Sequence, residues 1–246
     1  MSKLDRRIVI AGLMGLPLTA QSASAQSFDF NRLFKDQAQN LTLSNTQASD
    51  GIRAALEKGI TTAVKTVGRV GGYANDSDIR IPLPKKLQSV QRSLRAVGMS
   101  SMVDELEGAL NRGAETAAPY ALDIFLDVIM NMSVTDAVSI VQGQSTAATN
   151  FLKAQAMPKL VKTFTPIINQ TLSQTGAYGM VDNISGQLSN IPFTRGLAGD
   201  AKETLTEQGV EGGLNGLFHY VGKQEAQIRS NPGARTSDIL RSVFGG

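Results

Sequence analysis

Asn111, Arg112 and Glu115 are the most chemical-looking set of side chains in this 246-residue chain. On a helix, steps of three and four residues let Arg112 and Asn111 each reach Glu115. A carboxylate flanked by a guanidinium and an amide could serve a hydrolase or a lyase, with Glu115 and Arg112 lining a carboxylate-centred cleft. The same trio could form an internal network, with Arg112 paired to Glu115 and Asn111 bonding either Glu115 or a backbone carbonyl. The remaining candidate binding residues are Arg80, Arg235 and four glycines, Gly209, Gly212, Gly213 and Gly216. Asp104, Asp123 and Asp127 are carboxylate candidates by position alone.

Other chemistry is thinly represented. His219 is the only histidine. Its apolar neighbours, Leu217, Phe218 and Val221, point to a hydrogen-bonded interior or boundary residue rather than to a catalyst or ligand. The absence of cysteine removes thiolate nucleophiles, thiolate metal sites and disulfides. With one histidine, a zinc site would need several carboxylates, so no metal is expected. The nucleophile elbow, the phosphate loop and the dinucleotide fingerprint are missing, and no cofactor is expected.

The elements that must position these residues are helices. From 98 to 132, Met102, Leu106, Ala109, Gly113, Ala117, Ala121, Ile124 and Val128 form one stripe at helical spacing. Pro119 interrupts it, which predicts two helices, about 101–115 and 117–131, with Thr116 capping the second. Ile52, Leu56, Ile60, Val64 and Val67 predict a helix ending near Gly68. Ser133 with Asp136 has capping-box spacing and Gly143 closes that short helix. Residues 145–175 keep helical spacing, with joints expected at Pro158 and Pro166. Short helices are predicted over 178–188 and after the Asn231-Pro232-Gly233 turn, and a long one over 200–229.

After the helix ending near Gly68 comes turn chemistry, Gly71 to Asp78, and then Ile79-Arg80-Ile81-Pro82-Leu83-Pro84. Each residue before a proline is pushed away from helical geometry, so this piece must be an extended strap. Its alternation buries Ile79, Ile81 and Leu83 and sends Arg80 elsewhere. Pro84 opens a further helix, with Leu87, Val90, Leu94 and Val97 facing in, that Gly98 ends. The predicted fold is all-α: a single domain of about eight or nine helices, one short strap and no substantial sheet. No repeat at solenoid periods occurs.

The four glycines of the 200–229 helix fall largely on one face, and each costs about 1 kcal/mol relative to alanine. Close approach of neighbouring helices would offset that cost. A groove left open for a ligand is the alternative, and a kinked or frayed helix a third.

Residues 1–25 have the order of a secretory signal: Lys3, Arg6 and Arg7, an apolar run from Ile8 to Ala20, then Ala23-Ser24-Ala25. Periplasmic export is expected, by the general secretory route more than the twin-arginine one. Residues 26–45 form an arm with Phe28, Phe30, Leu33 and Phe34, and 46–246 the helical domain. The chain carries 24 Lys and Arg against 21 Asp and Glu, and removing 1–25 leaves 21 against 20. So balanced a charge, without a basic cluster, argues against nucleic acid. No later stretch reaches the roughly 20 apolar residues of a membrane span.

Several blocks in order, Ile79 to Pro84, Leu110 to Glu115, Ala117 to Pro119, Ala147 to Thr149, Gly216 to Phe218 and Asn231 to Thr236, are similar to the bacterial domain-of-unknown-function family 4197. The resemblance spans roughly 46–245 and implies an exported helical domain. It implies no activity, ligand or catalytic residue. The expectation for function is a non-enzymatic periplasmic protein binding an apolar, lipid-like ligand or an envelope protein. The alternatives are the Glu115/Arg112 hydrolase or lyase, and a structural scaffold.

Overall fold

The computed structural model describes residues 45–85, 87–88, 100–188 and 200–230. The expected leader, arm, loop at Gly196–Gly199 and last helix, most of the helix expected after Pro84, and Arg235 lie outside the described residues. Those described are helical, and no β-strand occurs among them. In order they form α1 (Asn45–Val67), α2 (Ser100–Ala117), a 3-10 turn (Ala118–Tyr120), α3 (Ala121–Met130), α4 (Val134–Gln142), α5 (Ala147–Gln174), α6 (Ala177–Leu188) and α7 (Ala201–Ser230).

Helix α5 is the central staff. Ala148, Leu152, Ala156, Leu160, Phe164, Ile168 and Leu172 repeat every four residues along one side, and all are buried. That side packs on α2, α3 and α7, while α1 lies across α7 and α3. Phe125 of α3 meets Phe218 of α7 edge-on at 5.6 Å, a geometry favoured by the ring quadrupoles. Helix α4 starts on the expected capping box, with Ser133 Oγ accepting from the Asp136 N–H and the Asp136 carboxylate accepting from the Ser133 N–H.

Three expectations are corrected. Pro158 and Pro166 do not divide their segment, because α5 runs unbroken through both. Both prolines are exposed, so the carbonyls they orphan can face water. Thr116 does not cap a helix. Helix α2 continues to Ala117, and Thr116 Oγ1 turns back to the Arg112 carbonyl at 2.8 Å; Pro119 occupies a short 3-10 turn that needs no such cap. Beyond Ala121 the buried stripe runs by fours through Phe125 and Ile129, leaving Ile124 and Val128 half-buried. No single helix among the described residues is long and apolar enough to cross a membrane.

Candidate functional site

The chain leaves α1 at Gly68, whose N–H caps back to the Val64 carbonyl at 2.8 Å. Gly71 then adopts φ +75°, a left-handed conformation that side-chain-bearing residues rarely adopt. Further on, Asp76 Oδ1 accepts the Asp78 N–H at 2.9 Å, a turn closed by its own side chain. From Arg80 to Pro84 the strap is neither helix nor strand, and no strand lies beside it among the described residues. Its buried backbone groups need partners all the same.

Side chains of α2 supply them. Asn111, 1% exposed, accepts the Ile81 N–H at 2.9 Å and donates to the Ile81 carbonyl at 2.9 Å. Its amide also donates to the Glu107 carbonyl one turn back, at 2.9 Å. Glu115, 6% exposed, accepts the backbone N–H groups of Tyr73 and Ala74 on one oxygen, each at 3.1 Å. At the rim Arg80 is paired with Glu107 at 2.7 Å. Ile79, Ile81 and Leu83 are buried, as the alternation predicts.

Helix α7 closes the strap from the other side. A Cβ on Gly212 would lie 2.7 Å from Ile81, and one on Gly216 would lie 2.5 Å from the Tyr73 ring and 3.1 Å from Ile79. A Cβ on Gly209 would meet Ile168 at 2.9 Å and Leu110 at 3.0 Å, and one on Gly213 would meet Ala114 at 3.2 Å. The glycine face is therefore filled, by the strap and by α2 and α5. Tyr73 is fully buried there and donates its hydroxyl to the Gly213 carbonyl at 2.6 Å. Burial, and then the Glu115 charge, push its pKa far above the usual value, against a smaller opposing pull from the Leu217 N–H.

The polar trio therefore separates. Asn111 and Glu115 bond strap backbone, whereas Arg112 is exposed, lies back over Gly108, and makes no ion pair with Glu115. The i, i+3 spacing permits that pair, but the two residues occupy opposite sides of the buried boundary.

Sequence reasoning missed a second buried carboxylate. Glu225 of α7, 5% exposed, accepts the Ala148 N–H on Oε1 at 3.0 Å. Its Oε2 accepts the Thr149 N–H at 2.8 Å and the Thr149 hydroxyl at 2.7 Å. It thus caps α5 from another helix, where Thr146 provides no side-chain cap. Arg229 pairs with it at 2.9 Å and also donates to the Ile140 carbonyl. The available signal was an acid on the apolar side of α7, one turn beyond Val221.

His219 is not interior. It is exposed, with Nε2 3.7 Å from Asp78. Beside it Lys223 donates to Asp78 at 2.8 Å and Tyr220 donates to Asp76. The hydrogen bond from Tyr220 holds the Asp76 pKa below the usual range, and the bond and charge of Lys223 do the same for Asp78. These contacts fasten the turn to α7. Among the described residues no group of three or more His, Cys, Asp or Glu could hold a metal ion.

Such an arrangement defines a class: a helical protein in which an extended strap is clamped between a polar helix face and a glycine face. The chain belongs to the family described as Protein of unknown function (DUF4197), whose family model matches residues 42–245. No curated protein and no solved structure matches it.

Proposed function

We propose that the protein is an exported, non-enzymatic binding protein of the cell envelope, acting through its outer surface on an apolar, lipid-like ligand or an envelope partner. The observation that carries this reading is where the buried polar atoms go. Asn111, Glu115 and Glu225 are each committed to backbone of their own chain, so their lone pairs and protons already have structural partners. Likewise, the filled glycine face leaves the work to the exterior. The signal-like order of residues 3–25 supports a periplasmic location. A single domain of eight or nine helices remains the architecture that goes with it.

The test is native mass spectrometry of the protein taken from its own compartment, with an organic extract run in parallel. A stoichiometric lipid, small molecule or protein retained on the chain is the expected result. A bare chain under conditions that preserve weak complexes would contradict the binding role. Glu115→Gln separates this from the enzymatic alternative: a lost phenotype with an unchanged unfolding midpoint would favour a reaction at Glu115.

A further inference from the structure

The turn that leaves α1 carries Val70 at its tip, and this valine is 97% exposed. Two exposed cations precede it, Lys65 in the last turn of α1 and Arg69, and neither makes an ion pair among the described residues. A Cβ on Gly68 would lie 3.1 Å from the Pro119 ring, so the 3-10 turn sits directly alongside. There Pro119 is exposed and Tyr120 is 58% exposed. Of the two acids of the same turn, Asp78 is paired with Lys223, while Asp76 takes a hydrogen bond from Tyr220 and keeps its charge, both on the side held to α7. The turn and the 3-10 segment beside it therefore present an apolar tip, an amphipathic ring and two cations without ion pairs among the described residues.

We propose that this end seats the protein on an anionic phospholipid surface. The chemistry is complementary group by group. Lys65 and Arg69 match headgroup phosphates, Tyr120 suits the boundary between headgroup and acyl chain, and Val70 enters the acyl layer. Two cations and one small apolar tip make the attachment weak and salt-sensitive. No helix is inserted. The inference rests on the envelope location and binding role proposed above, and names the ligand for that role.

The experiment is flotation of the protein, as purified from the cell, with vesicles of phosphatidylglycerol and phosphatidylcholine and with vesicles of phosphatidylcholine alone. Partition onto the anionic vesicles alone, reversed by high salt, is expected. Lys65→Gln with Arg69→Gln should weaken it about 25-fold, from about fivefold per cation, and Val70→Asp should weaken it at least about fivefold. All three positions are exposed, so circular dichroism should show these variants folded. No partition, equal partition onto the neutral vesicles, or undiminished partition of both variants would overturn the proposal. A photoreactive side chain at position 70 should label phospholipid in cells. If it labels a protein, the lipid inference fails while the binding role stands; if it labels neither lipid nor protein, both fail.

Discussion

Asn111 meets Ile81 as one strand meets another. Its carboxamide takes the N–H and the C=O of a single residue, both at 2.9 Å. A side chain on a helix thus does for an extended segment what a sheet neighbour would do. Asn111→Leu keeps similar bulk but strands two buried backbone groups. We expect a loss of about 2–4 kcal/mol in urea unfolding, with helix content retained.

Glu225 should matter as much as Glu115, although only Glu115 belongs to a polar set that the sequence spacing singles out. Removing it uncaps α5 and takes the Glu225 carboxylate away from Arg229. Glu225→Ala should cost about 2–4 kcal/mol. Thr149→Val, which loses one hydroxyl contact, should cost about 1 kcal/mol. Chemical denaturation of the two variants checks the ordering.

The glycine face predicts opposite signs along one helix. Gly216→Ala drives a methyl into the Tyr73 ring and should destabilise by about 1–3 kcal/mol. Gly222 has only Thr149 Oγ1 nearby, at 3.8 Å, so Gly222→Ala should stabilise by about 0.5–1 kcal/mol. Thermal unfolding midpoints should move in opposite directions.

Tyr73 predicts alkaline instability. Its folded pKa is raised, so the folded state holds the proton more tightly than the unfolded chain does. The associated stability is complete below the unfolded value of about 10 and falls above it by about 1.4 kcal/mol per pH unit. In an absorbance titration one of the four tyrosines should ionise only on unfolding. In Tyr73→Phe that fraction should vanish.

Helical periodicity made most of the elements legible, because a buried stripe leaves a regular mark: Ile52 to Val67 folds as its spacing implies, and the long helix expected over 200–229 forms as Ala201–Ser230. The strap was legible too, since Pro82 and Pro84 exclude helix. The prolines of α5 misled, because sequence does not say that both face solvent. The partners of Asn111, Glu115 and Glu225 were hidden for a different reason. They bond backbone 30, 42 and 77 residues away, and a backbone acceptor or donor has no residue type to recognise.

The central claim is that Asn111 and Glu115 hold the strap. Native-state hydrogen exchange of the Tyr73, Ala74 and Ile81 amides tests it most directly. These three N–H groups should exchange slowly in the native protein. Asn111→Leu should release Ile81, and Glu115→Ala should release Tyr73 and Ala74, with the α5 amides of both variants still protected. Fast exchange of the three amides in the native protein, or unchanged protection in both variants, would contradict the account.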